Sequence, residues 1–134
     1  MGEMSVLLVD DEAEFLEILV KRLKKRKVNL TAVTSGEAAI QMMKESPADV
    51  VVLDVRMGGM DGIRTLDEIK KIAPLAEVIM LTGHANVEVA MAGMALGAFD
   101  YLIKPVQIDE LLYRLQDAFK KKSLQEQRER SQGV

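Results

Sequence analysis

Five side chains stand where short apolar runs stop: Asp10 and Asp11 after SVLLV, Asp54 after VVVL, Thr82 at the end of EVIMLT, and Lys104 after FDYLI. Taken singly, each has an ordinary reading as a helix cap or a solvated strand end. Taken together they have a chemistry. Three carboxylates crowded at one place repel one another and call for a cation. A few hard oxygen donors suit Mg²⁺. A multi-histidine or thiolate site is excluded, because His84 is the sole histidine and there is no cysteine. Three carboxylates, one Mg²⁺ and the Lys104 ammonium sum to about zero charge. Such a site is poised for a phosphoryl group, whose oxygens the cations clamp while a carboxylate oxygen attacks phosphorus in line. The five residues therefore read as a Mg²⁺-dependent phosphoryl-transfer site with one nucleophilic aspartate.

That reading requires the five to share one edge of a sheet, and the elements around them predict it. Runs at 5–10, 28–33, 48–54, 77–82 and 99–104 read as strands, several of them buried on both faces. Between them lie helical patterns: 12–27 with Phe15, Leu19 and Leu23 in register, a helix capped by Ser35 and reaching about Glu45, 62–72, and 86–96 with Gly97 as its C-terminal cap. A last helix, capped by Asp109, carries Ile108, Leu111, Leu112, Leu115 and Phe119. Strands alternating with helices imply parallel βαβ units, an α/β doubly wound fold, with ligands outside the carboxyl ends of the strands.

The totals agree with one domain of 134 residues, 49% hydrophobic and 29% charged. No apolar run is long enough to span a bilayer, and MGEMSVLLVDD lacks the basic region of a signal peptide. The expectation is a soluble cytoplasmic protein with no membrane contact. The formal charge of −3 divides into +3 for residues 120–134 and −6 for the rest. An acidic body argues against direct DNA binding. The basic run Lys120, Lys121, Lys122 reads as a solvated helix end, and residues 121–134 as a basic tail or the stub of a linker helix after a domain of residues 1–120.

The motifs VLLVDDE (6–12), LDVRMGGMDG (53–62), LTGH (81–84) and AFDYLIKP (98–105), in this order, resemble those of bacterial two-component response-regulator receiver domains over residues 4 to about 120. The flavour of TGHANVEVAMAGMALGAFDYLIKP is that of receivers attached to enhancer-binding transcription activators. The resemblance implies a five-stranded parallel sheet in the flavodoxin-like order 2-1-3-4-5. It implies that Asp54 is the phosphoacceptor, that Asp10, Asp11, Asp54 and the backbone carbonyl of Arg56 hold Mg²⁺, and that Lys104, followed by a cis peptide to Pro105, contacts the phosphoryl group. Thr82 and Tyr101 would be the switch pair. Arg56 and His84 would flank the path of the hydrolytic water and set the lifetime of the phosphoryl group; Arg56→Ala should then lose it faster. The donor would be a sensor histidine kinase or a phosphotransfer protein. The surface of the fourth helix, fifth strand and fifth helix would control dimerisation or an output partner. The domain would catalyse only its own phosphorylation and dephosphorylation.

One residue departs from the family pattern. Gly58, followed by Gly59, stands where a proline is usual, and glycine loosens the loop that proline would stiffen. The fourth helix is apolar on two sides, Val87, Met91 and Met94 on one and Val89, Ala92 and Leu96 on the other, so one stripe is expected to meet a partner unless the helix is sunk deep. Rival readings fare less well. A haloacid-dehalogenase-type phosphohydrolase needs an acid where Arg56 stands, and neither the P-loop nor the G-x-G-x-x-G fingerprint is present. A phosphorylation-independent scaffold of the same fold is the remaining alternative.

Overall fold

The computed structural model describes residues 4–55, 61–83 and 86–132. Ten elements alternate: β1 (Met4–Val9), α1 (Ala13–Lys24), β2 (Val28–Val33), α2 (Gly36–Glu45), β3 (Val50–Leu53), α3 (Gly62–Ile72), β4 (Glu77–Thr82), α4 (Val87–Ala95), β5 (Asp100–Ile103) and α5 (Ile108–Gln132). The strands form one parallel sheet in the order β2-β1-β3-β4-β5, as the resemblance implies. The chain starts in the middle, winds out to β2, then crosses back past β1 to β3. That reversal opens a crevice at the carboxyl ends of β1 and β3.

The central strands β1, β3 and β4 alternate their side chains between two apolar layers. Val6 and Leu8 of β1, Val50 and Val52 of β3, and Ile79 and Leu81 of β4 face Leu16, Leu19 and Leu23 of α1 and Leu111, Leu115 and Ala118 of α5. Leu7, Val9, Val51, Leu53, Val78 and Met80 face Ala39 and Met43 of α2 and Leu66 and Ile69 of α3. Both faces of the central strands are dry, which is why their sequences run apolar without alternation.

Local chemistry sets the helix starts. Ser35, Asp61 and Asn86 each accept a hydrogen bond from the backbone N–H three residues on, capping α2, α3 and α4. Gly97 takes φ 103° just past α4, the left-handed conformation that ends a helix with least strain in glycine. α4 lies close on the sheet at Gly93, where a Cβ would stand 2.3 Å from the sulfur of Met80.

The observed bounds differ from the sequence reading at several ends. β1, β3 and β5 stop before Asp10, Asp54 and Lys104, because the ladder pairs end at Val9↔Leu53 and Thr82↔Ile103. α1 ends at Lys24 rather than Lys27, which adopts φ 58°. α5 starts two residues earlier than an Asp109 cap would set, at Ile108, so Asp109 lies in its first turn instead of capping it. α5 also continues unbroken to Gln132, through most of the stretch read as a basic tail or the stub of a linker helix.

Candidate phosphoacceptor site

Three of the sequence-selected residues converge at the carboxyl edge. Asp10 and Asp54 follow the last residues of paired neighbours β1 and β3. Their backbones are fixed by N–H donation from Asp54 to the Val9 carbonyl at 2.9 Å and from Asp10 to the Val33 carbonyl at 3.2 Å. Lys104 follows β5 and donates its backbone N–H to the Thr82 carbonyl at 2.8 Å. Its Nζ reaches across the crevice to Asp10 Oδ2 at 2.6 Å and Asp54 Oδ2 at 3.5 Å. The Lys104–Pro105 peptide bond is cis, as the resemblance implies.

The third carboxylate in contact with this ammonium is Glu12, at 3.4 Å, which the strand-end argument did not select. Glu12 is the N-cap residue of α1, outside any strand. Its place in VLLVDDE, two residues after Asp10, was the available signal. Asp10 Oδ1 accepts from the Glu12 N–H at 2.9 Å, which folds Glu12 back toward the crevice. Carboxylate oxygens of Asp10, Glu12 and Asp54 lie within 4.8 Å of one another, an oxygen donor set suited to a hard divalent cation. Asp11 is exposed beside this cluster.

Among the described residues, acidic groups outnumber basic ones at this edge. Asp10 and Asp54 are both buried. Burial pushes the Asp10 carboxyl above its ordinary range, with the Asp54 charge adding to the push, even though Lys104 and the Glu12 N–H pull it down. Burial also disfavours the Lys104 ammonium, but its hydrogen bond to Asp10 and the charges of Asp10, Asp54 and Glu12 outweigh that and hold its pKa above the ordinary lysine value. The ammonium stands 4.1 Å above the Phe15 ring, a further attraction for its charge. Among the described residues it is the one cation in contact with these three carboxylates.

Thr82, at the end of β4, is fully buried beside this edge. Tyr101, on β5, is half-buried against the α2–α3–α4 layer. Arg56, Gly58 and His84 lie outside the described residues, so the expectations for the Arg56 carbonyl, the Gly58 loop and the hydrolytic water path stand on sequence. The described part of that loop is anchored at both ends. The Gly62 N–H donates to the Val55 carbonyl at 3.2 Å, and a Cβ on Gly62 would meet Val55 Cα at 2.2 Å. Only glycine permits the approach that brings α3 up against the end of β3.

A model of the response regulator receiver domain matches residues 6–116. The chain belongs to this family. It is therefore a receiver domain of the response regulators of two-component systems, signalling proteins rather than metabolic enzymes. The transcriptional regulatory protein ZraR of Escherichia coli K12 is 39% identical over 115 residues, 86% of this chain and 26% of that protein. The chain thus spans about a quarter of the length of the curated relatives it matches. Among solved structures, a response regulator receiver domain protein from Clostridium thermocellum is 33% identical with a TM-score of 0.85, covering 90% of this chain and 98% of that one. The receiver domain of NtrX from Brucella abortus is 30% identical with a TM-score of 0.81, covering 86% and 98%. Among the described residues, no helix is long and apolar enough to cross a membrane.

Proposed function

We propose that this receiver is a phosphoacceptor switch in which Asp54 carries the phosphoryl group. The observation that supports this most is the cluster of Asp10, Glu12 and Asp54 around one ammonium. An Asp54 carboxylate oxygen forms the new O–P bond as the N–P bond of a phosphohistidine breaks. The imidazole leaves with the electron pair and takes up a proton. The donor is a sensor histidine kinase or a phosphotransfer protein, in the cytoplasm. Lys104 is placed to meet the incoming phosphoryl oxygens, and the buried backbone of β3 holds Asp54 in one position for in-line attack. Mg²⁺, held by Asp10, Asp11, Asp54 and the Arg56 carbonyl with the Glu12 carboxylate close by, supplies the remaining positive charge when bound.

Thr82 and Tyr101 are the proposed switch pair: the hydroxyl turns to the phosphoryl group and the ring moves inward. The readout surface is the face of α4, β5 and α5. Val87, Met91 and Met94 of α4 are exposed there, with Ile103 and Tyr113; in the other stripe Val89 is half-buried while Ala92 and Leu96 are exposed, so the methionine stripe is the more open of the two. Phosphorylation biases this face between two arrangements, for dimerisation or for an output domain. Residues 121–134 are a basic tail or the stub of a linker helix, and the helical state of 121–132 supports the second.

The test is incubation with Mg²⁺ and acetyl phosphate, followed by intact mass. One phosphoryl group is expected on the wild type and none on Asp54→Ala. No gain with acetyl phosphate or with a phosphorylated kinase would overturn the proposal in favour of the phosphorylation-independent scaffold.

A further inference from the structure

The amino edge of the sheet holds a second set of charges. Asp49 immediately precedes β3, and Glu77 is the first residue of β4. The two strand starts are laced together, the Glu77 N–H donating to the Asp49 carbonyl at 3.1 Å. α5 passes this edge as it leaves the sheet. Lys122 Nζ stands 2.7 Å from Asp49 Oδ1, and Lys121 Nζ stands 2.9 Å from Glu77 Oε2. Consecutive helix residues are about 100° apart around the axis, so the two lysines diverge onto two neighbouring strands. The basic run expected to be a solvated helix end is therefore engaged: Lys122 is only 15% exposed.

Both acids are built in. Asp49 Oδ2 accepts from the Ser5 backbone N–H at 2.9 Å and the Ser5 hydroxyl at 3.0 Å. Glu77 is buried, and Lys70, at the end of α3, approaches its other oxygen at 3.7 Å. Lys121 also lies over the Phe99 ring at 5.7 Å. Past this point the helix has no apolar anchor. The last buried residue of α5 is Ala118, and a short polar helix is marginal without tertiary support.

We propose that Asp49 and Glu77, gripping Lys122 and Lys121, form a clamp that fixes both the rotation and the axial register of α5 where it leaves the sheet. Residues 119–132 are then a rigid continuation of the receiver. β3 and β4, which carry Asp54 and Thr82 at one end, hold the departing helix at the other. The direction of the helix is thereby tied to the two strands that bear the phosphoacceptor site. The clamp does not depend on phosphorylation, and its failure would leave the phosphoryl-transfer reading untouched.

Hydrogen exchange measured by mass spectrometry tests it on the full chain. In Lys121→Met/Lys122→Met, which keeps unbranched stems and helix propensity, amides of residues 122–128 should exchange about tenfold faster or more. Amides of β3 and β4 should keep their protection. Lys121→Met alone leaves the Asp49 pair intact and should give a smaller acceleration confined to the same segment. Lys120→Met, on the exposed side, should change nothing. Unchanged exchange of 122–128 in the double variant overturns the clamp. So does equal acceleration by Lys120→Met, or a loss of protection in Lys121→Met spread evenly through β3 and β4.

Discussion

Among the described residues, one ammonium, Lys104, lies among three carboxylates, Asp10, Glu12 and Asp54, at the carboxyl edge of the sheet. At the amino edge three ammoniums, Lys70, Lys121 and Lys122, meet three carboxylates, Glu77, Asp49 and Glu126. Asp10 and Asp49 each have a lysine at nearly the same distance, 2.6 and 2.7 Å, yet their carboxyl groups shift in opposite directions. For both, burial is the largest influence and pushes upward. At Asp49 the hydrogen bonds from Lys122 and Ser5 overcome it and hold the carboxyl below its ordinary value. At Asp10 they do not, and a neighbouring carboxylate adds to the push. One pair is satisfied and structural. The other has, among the described residues, fewer cations than carboxylates, which suits the proposed binding of a metal ion and a phosphoryl group.

The largest effect should come from removing the Lys104 ammonium. Lys104→Met leaves Asp10 buried without its partner and should cost about 3 kcal/mol in urea unfolding at pH 7 with chelator present. The loss should shrink toward acid. Asp10 already has a raised pKa, so its charge opposes folding, and the penalty grows as pH rises from the ordinary value of 3.8 through the folded value. A Lys104→Met protein as stable as the wild type would break the contrast between the edges.

Asp49→Ala should cost somewhat less, about 2 kcal/mol, because Lys122 can turn to water while the Ser5 N–H loses its acceptor. Phosphorylation by acetyl phosphate should persist in this variant. Its pH dependence should be the reverse of that at Asp10. The Asp49 contribution is fully present above pH 3.8 and is lost only as pH falls through the lower folded value. The stability difference from wild type should therefore be flat from pH 7 down to about pH 4, and a difference that fades between pH 7 and 5 would refute the assignment.

The smallest effect concerns the loop after Asp54. Gly58→Pro should tighten Mg²⁺ by roughly 0.4–1 kcal/mol through a stiffer loop. Calorimetric titration of both proteins decides it, and equal affinities would remove the role given to Gly58.

The sequence carried the strands and most of the carboxyl edge for a simple reason. Asp10, Asp54 and Lys104 interrupt apolar runs, and the interruption marks the end of a ladder. Ser35 was readable as a cap because its signal is local. Glu12 was hidden because a helix turn, not a strand, delivers it. The length of α5 was left open between a tail and the stub of a linker helix because its last turns rest on Lys121–Glu77 and Lys122–Asp49, contacts between residues far apart in the chain. Periodicity reports only apolar contacts, so a helix held by ion pairs looks like a fading tail.

The most direct test of the contrast is a Mg²⁺ titration followed by amide chemical shifts. Saturable shifts at Asp10, Glu12, Asp54, Thr82 and Lys104, with Asp49, Glu77 and Lys122 unmoved, are predicted. No saturable shift at the carboxyl edge, or equal shifts at both edges, would contradict the account.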